Sequence, residues 1–241
     1  MKYLAAILFS VAIVVAAYIG GSFYVKRATP PGVISVTGSG NEDFTSDLIV
    51  WEGIFSQTSM NLREAYENLN NDKETVRKYL ISKGISEENI VFNSVQTIEK
   101  TEAEYQNGNY VGDVFKGYLL RQTVKIESTD VPQVEEVARE ITELLEKGVQ
   151  FNSTQPRYYY TKLADLKIKM ISAATEDARL RAEKIAENSG SELGELQSAD
   201  LGVFQIIGQN SGESFTWGGA YNTADKKKTA SVTMRLNYEI D

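Results

Sequence analysis

The sequence predicts an α+β fold in which helices cover an antiparallel β-sheet. Short segments with alternating apolar residues, or with apolar residues on both sides, are typical of strands. Longer segments repeat apolar residues at helical spacing, and the last of them is rich in alanine. The predicted order is strand, strand, helix, strand, strand, helix, strand, helix, strand, strand. Strands that follow one another through turns pair antiparallel, so we expect the helices to pack on the resulting sheet.

Turn and capping residues mark the element boundaries in the first half of the folded region. Glycine, serine and asparagine favour turns, and a serine before an apolar-periodic segment favours the start of a helix. A glycine after the last helical turn favours its end. The predicted elements are a strand over residues 32–38, a turn over 39–41, a strand over 44–57, a helix from an N-cap at Ser59 to Gly84, and a strand over 90–98.

The second half follows the same rules and ends with two strands separated by a long connection. Aspartate is a good N-cap, and proline is tolerated in the first turn of a helix. The predicted elements are a hairpin connection over residues 101–117, a strand over 118–128, a helix from Asp130 to Gly148, a strand over 149–161, a helix over 163–189, and strands over 196–205 and 229–238.

The third helix carries four alanines at intervals of four residues: Ala174, Ala178, Ala182 and Ala186. Residues four apart lie on one face of an α-helix, so these methyl groups form a narrow ridge. Small side chains let a helix axis come close to a sheet. We therefore expect this ridge to pack directly against strands.

The N-terminal residues 4–25 form a run of 22 residues without a charge. A helix of that length rises about 33 Å, which is enough to cross the hydrocarbon core of a bilayer. We expect an uncleaved signal-anchor with the folded region facing the periplasm or the cell exterior. The alternative is a signal peptide cleaved after residues 15–17. The predicted organisation is an anchor over residues 1–27, a linker over 28–32 and one domain over 33–241.

Composition excludes several kinds of chemistry. The chain has no histidine and no cysteine, which removes thiol chemistry, disulfides, Ser-His-Asp triads and zinc sites built on those residues. Its net charge is −8, and a surface of that sign repels nucleic acid. The short basic run at residues 226–228 does not offset this charge. Any catalyst here would have to use carboxylates, lysine, tyrosine or a serine–lysine pair. We expect no nucleic-acid partner, and our prediction is that the chain has no enzymatic activity, no cofactor and no metal.

Two segments resemble a known family. The first is Val-Ile-Ser-Val-Thr-Gly-Ser-Gly at residues 33–40 with the strand at 47–51. The second runs from Ala-Ala-Thr-Glu-Asp-Ala at 173–178 to Gly-Ser-Glu-Leu-Gly at 190–194. Both are similar to the SIMPL-domain family of bacterial envelope and periplasmic immunogenic proteins, and the likeness covers nearly all of residues 33–240. The resemblance implies an α+β envelope domain, homo-oligomers in some members and involvement in stress responses. It implies no catalytic residues.

Three other groups of residues have the composition of a site, but their spacing favours a structural interpretation. Gly38 and Gly40 lack the third glycine and the helix of a dinucleotide-binding motif, and are predicted to lie in a turn. The acids Glu102, Glu104 and Asp113 lack the spacing of a calcium loop and are predicted to be surface residues. The tyrosines at residues 158–160 alternate between the two faces of a strand.

The strongest candidate site is the connection over residues 209–225. It is long, and its aromatic residues Phe215, Trp217 and Tyr221 are of the type enriched at protein interfaces. Its glycines predict a conformationally free loop that can be deleted without loss of stability. We expect these residues to contact another protomer in a self-assembling scaffold. The alternatives are a carbohydrate- or small-ligand-binding module that uses this loop with residues 158–160, and a hydrolase that uses carboxylates.

Overall fold

The computed structural model describes the backbone of residues 2–28 and 32–240, and the side chains of residues 9–22 and 32–240. The α-helices within these residues are α1 (Lys2–Ala28), α2 (Leu62–Ser82), α3 (Val131–Glu140), α4 (Glu143–Glu146) and α5 (Leu163–Ser189), and a short 3-10 helix spans Glu87–Asn89. The strands are β1 (Gly32–Thr45), β2 (Leu48–Ser59), β3 (Ile90–Phe92), β4 (Gln96–Gln106), β5 (Asn109–Ser128), β6 (Phe151–Ser153), β7 (Arg157–Tyr159), β8 (Leu193–Leu201), β9 (Gln205–Gly208) and β10 (Lys227–Ile240).

The fold is α+β with antiparallel strand pairs, which confirms the predicted class. The chain forms two compact units that are each built from separate stretches of sequence. The first unit contains the described residues of Met1–Asn41, Lys169–Val203 and Val232–Asp241. The second unit contains Glu42–Ile168 and Phe204–Ser231.

The first unit is organised by close packing between β1 and α5. Ala174 and Ala178 are fully buried, which confirms the predicted alanine ridge. Gly38 faces this ridge: a Cβ atom on Gly38 would lie 2.8 Å from the Cα of Ala178 and closer still to the Ala174 carbonyl oxygen. Gly40 is in the same position against Met170, whose carbonyl oxygen occupies the space that a Cβ would need. Only glycine permits this approach of a strand backbone to a helix backbone.

The turn predicted at residues 39–41 is therefore wrong. β1 runs without a break from Gly32 to Thr45, and alternate residues of its first part are buried. A glycine in a turn and a glycine packed against a helix look the same in the sequence, because both positions require a residue without a side chain. The backbone N–H of Ser39 donates a hydrogen bond of 2.8 Å to the Asp177 carboxylate on α5, which adds a polar contact to the glycine–alanine packing.

The second unit contains a six-stranded sheet with the strand order β3-β5-β2-β6, in which β4 also pairs with β5 and β7 with β2. One face of β2 carries Trp51 and Phe55, which have no exposed surface and belong to a core shared with α2 and α3. The Phe151 ring stacks near both of them, at 5.9 Å from Trp51 and 6.5 Å from Phe55. Gly53 leaves the space that this ring fills.

Strands β4 and β5 extend into a two-stranded ribbon over residues 100–117. The residues of β4 are exposed along the whole strand. The ribbon turns at Asn107 and Gly108, which both have positive φ values of 51° and 81°. An Asn-Gly pair with this backbone is the favoured two-residue hairpin turn. The predicted hairpin connection over residues 101–117 is thus a hairpin whose two arms are paired strands, with register shifts at Lys100/Thr101 and Glu104/Tyr105.

Several predicted boundaries differ from the observed ones. The N-cap of α2 is Asn61 and not Ser59, because the Asn61 side chain accepts hydrogen bonds from the backbone of Arg63 and Glu64. The Asp130 cap of α3 is confirmed, but the single helix predicted from Asp130 to Gly148 is divided into α3 and α4. Three predicted strands are divided, because the chain leaves the sheet within each of them: 90–98 into β3 and the start of β4, 149–161 into β6 and β7, and 196–205 into β8 and the start of β9.

The N-terminal helix α1 has exposed side chains throughout residues 9–22, among them Phe9 and Tyr18. In the part of the chain that the structure describes, no helix is long and apolar enough to cross a membrane. The predicted anchor over residues 1–27 lies partly outside the residues whose side chains are described. The predicted linker over residues 28–32 also lies partly outside the described residues, because these do not include residues 29–31.

Candidate interaction surface in the loop of residues 209–226

The loop between β9 and β10, residues 209–226, is held in place by two buried amide side chains. The first is Gln205, at the start of β9, which is 8% exposed. Its Nε2 donates to the Thr216 carbonyl oxygen at 2.7 Å, and its Oε1 accepts from the backbone N–H groups of Thr216 and Ala220. One side chain thus fixes two separate points of the loop backbone.

The second buried amide is Asn222, which is 9% exposed and lies within the loop. Its Nδ2 donates to the carboxylates of Glu213 and Asp225 at 2.7 and 2.9 Å, and its Oδ1 accepts from the backbone of Asp225. Glu213 in turn accepts from the backbone N–H of Gly208, and this hydrogen bond is the main reason why the Glu213 pKa lies below its usual value. The carboxylates therefore act as anchors of the loop.

Backbone pairing completes the attachment. Ile206 of β9 donates from its N–H to Ala220 and accepts from the N–H of Asn222, both at 2.8 Å, in a parallel bridge with Tyr221. The loop is therefore ordered by its own unit, contrary to the conformationally free loop that its glycines predict. Deletion of residues 211–223 would remove Asn222 and the partners of Gln205, so such a deletion should destabilise the second unit.

The aromatic residues that the sequence singled out project from this fixed loop. Trp217 has a relative exposure of 102%, and Phe215 and Tyr221 are 65% and 48% exposed. A large apolar side chain that is exposed to water contributes no hydrophobic stabilisation to the fold. Exposed aromatic residues of this kind are common anchors of protein interfaces. These three residues, the aromatic triad, form the candidate interaction surface.

A buried lysine lies beneath the loop. Lys228 is 1% exposed, its Nζ donates to the Tyr158 carbonyl oxygen at 2.6 Å, and it lies 5.8 Å from the centre of the Tyr221 ring. Burial lowers the pKa of Lys228 to about 8. Ser46, also in the second unit, has a buried hydroxyl without a hydrogen-bond partner among the described residues.

The basic run at residues 226–228 does not form a basic patch. Lys226 makes an ion pair of 2.8 Å with Glu135, and Lys228 is buried. Glu135 also accepts a hydrogen bond from the Tyr158 hydroxyl at 2.9 Å. Burial and the Glu135 carboxylate raise the Tyr158 pKa to about 12. The arrangement gives Lys226 and Tyr158 partners within the chain.

The remaining candidates from the sequence lie in different surroundings. Glu102 and Asp113 lie on the ribbon, where Glu102 pairs with Lys116 at 3.1 Å. Tyr160 packs its ring against Phe44 at 4.8 Å. Within the described residues there is no group of three or more acidic side chains that could hold a metal ion. The acids of the ribbon therefore do not form a metal-binding group among the described residues.

The tyrosine segment does adjoin the loop: the Tyr158 N–H donates to the Thr223 carbonyl oxygen at 2.7 Å, and burial together with the nearby Tyr159 raises the Tyr221 pKa. This is the juxtaposition that the ligand-binding alternative requires.

Gln205 and Asn222 were not singled out from the sequence, and Lys228 was considered only as part of the basic run at residues 226–228. Polar residues in a polar segment are usually exposed, and no local pattern distinguishes the few that become buried. The only sequence signal for an ordered loop at this place was the length of the connection, because long ordered loops are often functional.

Two comparisons with known proteins bear on this chain. The family described as SIMPL, protein of unknown function (DUF541), matches residues 34–237. No curated protein matches the sequence.

Proposed function

The chain belongs to the SIMPL family, and from this premise we propose that it is a membrane-anchored, non-enzymatic envelope protein that self-assembles through the aromatic triad. The family match covers β1 to most of β10, so it includes both compact units and the loop of residues 209–226. Because the family has no established function, the proposal depends on the chemistry of the chain's own residues.

One observation carries the proposal: a fully exposed tryptophan on a loop that is fixed by buried hydrogen bonds. A fixed loop has already lost its conformational entropy on folding, so a partner does not need to order it again. Burial of Trp217 and its two neighbours then contributes its full hydrophobic gain to association. A second copy of the chain is the proposed partner, in line with the expected homo-oligomer.

A non-enzymatic role is supported by what the polar side chains do. The chain has no histidine or cysteine, so a catalyst would have to use lysine, tyrosine, serine or carboxylates. Lys228 is buried, and Glu213 and Asp225 serve as hydrogen-bond acceptors for the loop. In these positions the lysine and the two carboxylates stabilise the fold, which supports a non-enzymatic role.

The membrane anchor is supported by the sequence of residues 4–25, which contains no charged residue. An uncharged run of this length matches the hydrocarbon core of a bilayer. The support comes from the sequence alone, because the side chains of residues 4–8 and 23–25 lie outside the described residues. The proposed location is an envelope membrane with the SIMPL region outside the cytoplasm.

The test of self-assembly is the oligomeric state of the full chain in non-ionic detergent, measured by light scattering. The variant Trp217→Ala should dissociate at protein concentrations at which the wild type is associated, with a dissociation constant raised about tenfold or more. Its matched control is Tyr66→Ala, which removes an aromatic side chain that is 56% exposed on α2. The proposal fails if the wild type is monomeric, or if both variants associate as the wild type does.

A further inference from the structure

The open face of the six-stranded sheet is the side of β2 opposite Trp51 and Phe55, and it carries the half-buried residues Glu52, Ile54 and Ser56. Cross-strand pairing extends it on both sides. Arg121 of β5 lies between Ser56 of β2 and Gln96 of β4, so these three side chains share one row. Asn152 of β6 lies opposite Ile54 in the next row.

The cations of this face differ in their partners. Lys125 pairs with Glu127 at 3.0 Å, and Arg157 pairs with Glu52 at 2.9 Å. Arg121 is exposed and makes no ion pair or side-chain hydrogen bond with any described residue. Its guanidinium therefore keeps all its donors for another molecule.

Two shallow grooves of about 380 and 390 Å³ border Arg121, and both are also lined by Ile54. Volumes in this range are usual for small-molecule sites. The grooves expose neutral side chains that make no hydrogen bond of their own within the described residues. These side chains are Asn93, Gln96 and Thr123 in one groove, and Ser56, Gln150 and Asn152 in the other.

The chemistry of these groups defines the ligand. A guanidinium binds a carboxylate or a phosphate through two parallel hydrogen bonds. Amide and hydroxyl side chains both donate and accept, which suits the hydroxyl groups of a sugar. The chain carries a net charge of −8, which disfavours doubly charged phosphates and polyanions more than a single carboxylate.

We propose that the Arg121 grooves bind a sugar that carries one carboxylate, such as a uronic acid. The carboxylate pairs with Arg121, the amide and hydroxyl side chains bind the sugar hydroxyls, and Ile54 contacts the apolar side of the ring. Such a ligand occurs either as a free sugar acid or as a residue in a glycoside. This site is independent of the proposed self-assembly, because the aromatic triad takes no part in it.

The test is an NMR titration of the full chain at low ionic strength, in a non-ionic detergent without sugar groups. The probes are sodium glucuronate and methyl glucuronide, with glucose and inorganic phosphate as controls. A small ligand in an open groove should bind with a dissociation constant of about 1 mM. Arg121→Gln should weaken binding about tenfold or more, because it removes a charged hydrogen-bond pair. Lys125→Gln, at the ion-paired cation of the same face, should leave the affinity unchanged.

Binding of either uronate probe, lost in Arg121→Gln and retained in Lys125→Gln, supports the proposal, and the tighter probe identifies the source. Absence of saturable uronate binding overturns it. Equal binding of phosphate would show a general anion site, and equal binding of glucose would show that the carboxylate is irrelevant; both overturn the assignment. If Arg121→Gln does not fold, the variant Arg121→Lys replaces it, because lysine keeps the charge but not the planar guanidinium. Unchanged uronate affinity in Arg121→Lys would contradict the proposal.

Discussion

Replacing Gly38 with alanine is the sharpest test of how the first unit is packed. The added Cβ would lie 2.8 Å from the Cα of Ala178 and closer to two backbone atoms of α5. Carbon atoms in favourable contact are about 3.5–4.0 Å apart. The helix backbone must therefore move by roughly 1 Å, because no side chain is present that could rotate away.

The expected cost follows from that displacement. Overpacking a well-filled interior lowers the free energy of unfolding by about 1–3 kcal/mol. The cost of Gly38→Ala should lie at the upper end of this range, because the added Cβ contacts helix backbone atoms. The lower entropy of the unfolded alanine chain offsets only about 0.4–1 kcal/mol of this. In a chain of this length each kcal/mol shifts the melting temperature by about 2–4 °C. We therefore expect Gly38→Ala to melt several degrees below the wild type.

The measurement is thermal unfolding of the full chain followed by circular dichroism. Gly212→Ala is the matched control, because a Cβ at Gly212 has open space around it and the backbone there is not left-handed. The control should melt at the wild-type temperature. If Gly38→Ala melts with the control, β1 and α5 are not in backbone contact, and the inferred glycine–alanine packing is wrong.

Three further predictions concern the ridge, the buried lysine and the anchor. Ala182→Leu should lower the free energy of unfolding by about 1–3 kcal/mol in denaturant titration, because Ala182 is fully buried on the same ridge; an unchanged midpoint would place it on the solvent side. The folded-state pKa of Lys228 is about 8, below the value of 10.5 for a free side chain, so between these values the unfolded chain binds more protons and wild-type stability rises with pH. Compared with Lys228→Met, the wild type should therefore gain up to about 1.4 kcal/mol per pH unit from pH 8 to 10, whereas parallel pH profiles would show that Lys228 titrates normally. The anchor over residues 1–27 predicts that the full chain stays in carbonate-washed membranes, and recovery of a soluble product that begins near Tyr18 would show cleavage instead.

The sequence predicted the long helix α5 better than it predicted the strand boundaries. The helix predicted over residues 163–189 is α5 with the same ends, and its buried alanines are those of the predicted ridge. Helical periodicity and capping are local properties, so residues near one another in the chain are enough to define them. Strand limits depend on partners distant in sequence, which is why residues 90–98 and 149–161 were predicted as single strands.

The candidate surface was predicted in part. Large aromatic residues in a long connection indicated where to look, and the structure shows Phe215, Trp217 and Tyr221 exposed on that loop. The sequence did not indicate that Gln205 and Asn222 hold the loop. A buried amide is recognisable only when its distant hydrogen-bond partners are known.

The sequence by itself determined the α+β class, the family, the alanine ridge and the absence of histidine and cysteine chemistry, because periodicity and composition require no knowledge of contacts. The tertiary structure alone decided what Gly38 and Gly40 are for, since a glycine in a turn and a glycine against a helix have the same sequence signature. It also decided which charges have partners: Lys228 is buried and Arg121 is unpaired among the described residues. The reason is physical, because solvation and ion pairing depend on neighbours that the chain brings together only when it folds.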